Sequence, residues 1–291
     1  MNTQHTNPLT RDLSNRVLDY NSRPLTSSLA VFSAMALTAF GQQLPEPLLY
    51  FPLDEASGAT AAVDKTGNGY DGVVVNSVTF GEEGAPGGAS PSGAAQFTDG
   101  ILNIPTFDVP LLLGNRDGAG AGDAVSYTMA AWIKPDAASL SGDRFFVGQS
   151  SQGIHNGLRN NGRLHQAHWG NDHYGDTLLN ATDWVHATYV YDGAADLGTI
   201  YLNGVEDGVP TSKASPNGAG NLIVGGRQGD QNGGTGQAWY NGLIDEFAVW
   251  NSVLTQEQIT ALAEGALPFS TATGDDQDHD GVNDGWETAS R

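Results

Sequence analysis

From Leu48 onward the chain is a succession of short apolar or alternating runs, broken by Gly, Asn, Asp or Pro every eight to twelve residues. Runs of that length are too short for core helices but suit strands, and turns at that interval are the rhythm of an antiparallel β-sandwich. The expected strands are Leu48 to Pro52, Tyr70 to Val75, Ala94 to Phe97, Tyr127 to Lys134, Arg144 to Gly148, Arg163 to His168, Trp184 to Tyr191, Thr199 to Leu202, Asn221 to Val224 and Gly242 to Trp250. The fold class is therefore all-β, an antiparallel β-sandwich. Asn203-Gly204 supplies a type I′ hairpin turn, since both residues tolerate positive φ. One helix is expected near the end: Thr255 and Gln258 form a capping box, Gln256 to Glu264 are good helix formers, and Gly265 and Pro268 stop it. The Gly-rich stretches Gly81 to Gly93 and Gly114 to Asp123 read as surface loops.

Composition narrows the partners. Six Trp, nine Tyr and ten Phe within a 39% hydrophobic chain of 291 residues are enough for a packed core. Against 33 acidic side chains stand only 12 basic ones, a formal charge of −21. That balance argues against nucleic acid and against an anionic membrane surface, and favours cations. The absence of Cys removes disulfides, thiolate metal sites and Cys nucleophiles together.

The longest apolar run, Leu29 to Phe40, has twelve residues, short of the roughly 20 that a membrane span needs. It follows Arg11, Arg16 and Arg23 and ends at Ala39-Phe40-Gly41, whose small first and third residues suit signal peptidase. Residues 1–41 are expected to be a secretory signal, 42–268 the sandwich, and 269–291 a linker with an Asp-rich loop. Export to the cell surface or medium follows, with no membrane insertion after cleavage.

That loop carries the most specific motif. Asp276, Asp278, Asp280, Asp284 and Glu287 occupy positions 1, 3, 5, 9 and 12, with Gly281 at 6 and the Val282 carbonyl at 7. A hard cation with six to eight oxygen ligands needs such a set on one tight turn, so calcium is the expected cofactor. The segment resembles a thrombospondin type 3 or dockerin-like repeat.

A polar cluster lies between His155 and His186. On a strand from Arg163, His165 shares a face with Arg163, Ala167 and Trp169, while His168 points the other way with Leu164 and Gln166. The candidate ligand-binding residues are His155, Arg159, His165, Trp169, Asp172, His173 and Tyr174, with an aromatic ring as a stacking platform for a sugar. His186 reads as a hydrogen-bonded structural residue. No catalytic motif is found: there is no Gly-x-Ser-x-Gly elbow, no His-Glu-x-x-His pair, and no Glu-x-Asp-x-Glu spacing that would bring two carboxylates about 5 Å apart for glycoside hydrolysis.

Several ordered blocks resemble the LamG-like jelly-roll domains of the concanavalin A-like lectin/glucanase superfamily. They are Leu49 to Gly58, Lys65 to Gly72, Ser126 to Pro135, Asp183 to Gly193, Ile200 to Gly204, Ile223 to Gly226 and Gly242 to Trp250 with the helix behind it. The resemblance implies two stacked antiparallel sheets, and a second calcium site at a sheet rim, for which Asp54, Asp64, Asp71 and Asp245 lie in the relevant blocks. The expected function is a secreted, non-catalytic binding or adhesion module for a glycan or a surface protein. The alternatives are a glycan hydrolase of the same superfamily and a ligand-free spacer of a larger surface protein.

Overall fold

The computed structural model describes residues 44–86, 93–113, 126–149, 153–168, 171–216, 220–228 and 236–269. Residues 1–41, expected to be a secretory signal, lie outside the described residues, as does the Asp-rich loop. The first strands are β1 (Leu49–Phe51), β2 (Ala61–Ala62), β3 (Gly72–Glu83) and β4 (Gly93–Asp108), followed by a single turn, α1 (Val109–Leu112). Next come β5 (Tyr127–Pro135), β6 (Arg144–Gln149), β7 (His155–Arg159), β8 (Arg163–Gln166) and β9 (His173–Tyr174). The rest are β10 (Val185–Asp192), β11 (Leu197–Leu202), β12 (Val205–Glu206), β13 (Thr211–Ser212), β14 (Asn221–Val224), the short pair β15 (Arg227–Gln228) and β16 (Gly236–Gln237), and β17 (Gly242–Trp250). Helix α2 (Gln256–Ala263) closes the described chain.

The strands join in the order β12-β11-β10-β5-β17-β4-β14-β6-β7-β8-β9. This path curls until its two halves face each other: Tyr189 on β10 lies 5.5 Å from the Phe146 ring of β6 and donates its hydroxyl to the Gly157 carbonyl on β7. The turn from one layer to the other is made by β3 and β4 together. Residues 95–97 of β4 pair with β17, and residues 102–104 pair with β14. Between them the chain passes through Asp99 at φ 52° and Gly100, where a Cβ would lie 2.4 Å from the Ser77 carbonyl oxygen. The partner strand bulges at the same level, at Asn76 with φ 64°, so both bend and the sheet turns a corner. Fully buried Phe51, Phe97, Phe107, Tyr127 and Tyr189 fill the space between layers.

The predicted turn at Asn203-Gly204 is present with φ of 50° and 79°, closing the pair of Leu202 with Val205. Helix α2 begins at the predicted capping box, with Gln258 N–H donating to Thr255 Oγ1 and Thr255 N–H to Gln258 Oε1. Its Ile259 and Leu262 pack on Trp250, Val190 and Ala130, the outer side of one layer. Among the described residues no helix is long and apolar enough to cross a membrane. One loop expectation is corrected: Gly81 to Glu83 belong to β3, and Glu83 pairs with Gly93 at the start of β4. The strand reaches past the glycine because Gly81, at φ 90°, sits in a bulge rather than ending the ladder.

Candidate functional site

Strands β6 to β9 carry the cluster, and the period of two sorts its side chains. On the inner face, Leu158 and Leu164 enter the core, while Gln166, Asn156 and His168 converge on the Tyr127 hydroxyl. His168 Nδ1–H donates to the Ala214 carbonyl at 2.7 Å, which leaves Nε2 to accept from Tyr127 at 2.7 Å. Burial holds this imidazole neutral, with its pKa lowered to about 3. His186, on β10, is likewise buried, 3.4 Å from the Thr188 hydroxyl and edge-on to Trp132, and burial lowers its pKa to about 3. Both are structural residues.

The outer face gathers the others. Phe145 of β6 lies under His155 and His165, with ring centroids 5.2 and 5.5 Å away. Tyr174 of β9 stacks 5.2 Å from His165 on the other side. Asp172, from the loop before β9, places Oδ1 2.9 Å from His165 Nε2 and 3.6 Å from His155 Nε2. Its second oxygen lies 3.4 Å from Arg159, whose guanidinium is held by both oxygens of Asp143, at 2.5 and 2.9 Å. The hydrogen bond from His165 holds the Asp172 carboxyl at about 2, so it is ionised at neutral pH. Burial lowers the His155 pKa to about 4, and lowers that of His165 against the pull of Asp172.

Lys213 organises the loop from behind. It is 1% exposed, donates Nζ to the Gln166 carbonyl at 2.9 Å and to the Asn171 carbonyl, and burial pulls its pKa down to about 8. It thereby ties the residue before Asp172 to β8. An open groove of about 530 Å³ runs beside the cluster, lined by Asn160, Arg163, Asp172, His173, Tyr174 and Asp176. Among the described residues neither His173 ring nitrogen has a hydrogen-bond partner, and burial lowers its pKa to about 3.

Of the seven candidate ligand-binding residues, His155, Arg159, His165, Asp172 and Tyr174 thus form one contact cluster, and His173 lines the adjoining groove. Trp169 lies outside the described residues. Sequence reasoning missed Phe145, Asp143 and Lys213. The first two sit on the neighbouring strand β6 or just before it, and nothing in a lone Lys signals burial. The strand β7 was also absent from the expected strands.

Each of the four candidate rim carboxylates accepts at least one backbone N–H. Asp64 accepts from the backbone N–H of Tyr50, Thr66 and Tyr70 and from the Thr66 hydroxyl. Asp71 accepts from Asp64 N–H, Asp54 from Gly93 N–H, and Asp245 from Ala85 N–H. These are turn and strand-joining contacts. Among the described residues, the His and carboxylate ligand atoms that converge as a group of three are those of His155, His165 and Asp172.

A fold of two facing antiparallel layers with a polar groove on one outer face defines a lectin-like jelly roll. A laminin G model of the concanavalin A-like lectin/glucanases superfamily matches residues 113–260, and the chain belongs to that superfamily. A comparison with curated proteins found no match. Among solved structures it is similar to domain 4 of AbnA, a GH43 extracellular arabinanase from Geobacillus stearothermophilus, in complex with arabinotriose. Identity there is 20%, the TM-score is 0.55, and the match covers 76% of this chain and 100% of that domain. It is also similar to the binding domain of Paraclostridial Mosquitocidal Protein 1, at 14% identity and TM-score 0.51, over 75% of this chain and 52% of that one. A Trypanosoma rangeli sialidase matches at 14% identity and TM-score 0.50, over 76% of this chain and 33% of its own.

Proposed function

We propose that the chain is a secreted, non-catalytic carbohydrate-binding module that receives its glycan in the groove beside Tyr174. The observation that carries this reading is the groove itself: about 530 Å³, with Arg163, Asn160 and Asp176 as hydrogen-bonding groups beside a partly exposed Tyr ring. Sugar rings offer hydroxyls to such groups and C–H faces to an aromatic ring. The likeness in fold to an arabinanase domain solved with arabinotriose supports the class of ligand.

A glycan array probed with the full chain tests the reading, followed by calorimetry on the best oligosaccharide. Tyr174→Ala and Arg163→Ala are each expected to weaken that binding by roughly tenfold or more, about 1.4 kcal/mol, without loss of folding. No binding on the array, or unchanged affinity in both variants, would count against it. Reducing-sugar release from polysaccharides by the full chain would favour the hydrolase instead.

The structural cofactor in this reading is calcium, held by the loop from Asp276 to Glu287. Millimolar calcium should protect the linker around residues 270–275 from proteolysis. Replacing Asp278 and Asp280 by Asn should abolish that protection, because it removes two of the charged ligands on a single turn. Equal protection in the variant would place the calcium elsewhere.

A further inference from the structure

The geometry points to a binding site for a divalent transition metal of the zinc type, with His155 Nε2, His165 Nε2 and Asp172 Oδ1 as its protein ligands. These residues come from β7, β8 and the loop before β9, and their ligand atoms all lie within 4.8 Å of one another. Ligands about 2.0–2.1 Å from one ion in tetrahedral array stand roughly 3.3 Å apart. The two separations from Asp172 Oδ1, 2.9 and 3.6 Å, straddle that value.

The proton positions add a second argument. His155 Nδ1 lies 2.9 Å from the Gly153 carbonyl, which can only accept, so Nδ1 carries the ring hydrogen and Nε2 presents a lone pair. That nitrogen faces Asp172 Oδ1, 3.6 Å away. Two of the three ligands have an outer shell of the form found around bound metals: the His155 Nδ1–H is fixed by a carbonyl, and the second Asp172 oxygen is held by Arg159, itself fixed by Asp143, while among the described residues His165 Nδ1 is buried without a hydrogen-bond partner. Phe145 and Tyr174 confine the two rings. When the ion binds, the hydrogen on His165 Nε2 is exchanged through water for one on Nδ1, so the ring stays neutral. Two imidazoles and one carboxylate suit zinc, cobalt or nickel, whereas calcium requires oxygen ligands throughout. Asp172 also lines the groove, so the ion would lie at its edge.

The test uses the full chain without a histidine tag, stripped with chelator. Cobalt(II) titration is expected to give a visible absorption band at one equivalent. Zinc is expected to displace it and, at a hundredfold excess over its Kd, to raise the thermal midpoint by roughly 5 °C or more. A millimolar excess of calcium should leave the band in place. Asp172→Asn, isosteric and partly exposed, and His155→Gln should each abolish the band, while Asp278→Asn with Asp280→Asn should not. No band in the unsubstituted chain, or a band that survives both Asp172→Asn and His155→Gln in folded protein, would overturn the site.

Discussion

Acidification from pH 7 to pH 4.5 is expected to unfold the metal-free protein, or to bring it close to unfolding, well before its carboxylates titrate. His168 and His186 are buried as neutral rings, each with a pKa lowered to about 3, whereas an unfolded histidine titrates near 6.5. Between those values the unfolded chain binds protons that the folded chain refuses, so stability falls as pH drops through 6.5 and goes on falling towards 3. Each ring contributes a slope of about 1.4 kcal/mol per pH unit, and the pair on the order of 3 kcal/mol per unit. Two units of acidification therefore remove about 6 kcal/mol, comparable with the whole stability of an ordinary domain. Asp172, held at about 2, works in the same sense, but only below its unfolded value, outside this window. Lys213, pulled down to about 8, adds stability as pH rises from about 8 towards 10.5. Urea midpoints followed by Trp fluorescence at pH 7.5, 6.0 and 5.0 give the slope, and His186→Gln should reduce it by about one proton. A flat profile across this range would mean that the two rings are accessible to protons in the folded state.

Gly157→Ala is expected to cost about 3 kcal/mol or more and to dismantle the outer cluster, although the substitution adds a single methyl group. A Cβ there would lie 2.4 Å from both the Arg144 carbonyl oxygen and the Phe145 Cα, backbone atoms of the adjacent strand that no side-chain rotation can clear. The register of β6 and β7 shifts between Phe145 and Val147, and this irregularity is what lets the strands approach so closely at Gly157. Forcing them apart moves His155 and Arg159 on β7 away from Phe145 and from Asp143 just before β6. It also strains the hydroxyl contact of Tyr189 to the Gly157 carbonyl, which joins the two layers. Differential scanning calorimetry should show a midpoint lower by roughly 6–12 °C. A midpoint within a degree of the parent would show that this pair of strands is softer than its spacing implies.

The difference between legible and illegible features follows from which interactions are local. Short, largely apolar runs bounded by turn residues marked Tyr127 to Lys134, Asn221 to Val224 and Gly242 to Trp250 as strands. The capping box at Thr255 was legible because both of its hydrogen bonds close within four residues. Strand β7 was illegible for the opposite reason. As a dipeptide Asn156-Gly157 has turn chemistry, yet the glycine is required by close approach to Arg144 and Phe145, twelve or more residues earlier in the chain.

Amino-acid order by itself determined the fold class, most strand positions, the terminal helix and the split of His165 from His168 onto opposite faces, since periodicity and capping depend only on near neighbours. It also marked the stretch from His155 to Tyr174 as a candidate site. Tertiary structure decided that His155, His165 and Asp172 share one point. That convergence depends on the order in which β7, β8 and β9 pair, on Phe145 beneath them and on Lys213 holding the loop from 42 residues away. It decided equally that Asp64 is spent on backbone N–H groups. Contacts of that kind are set by how distant strands pack, and no local pattern encodes them.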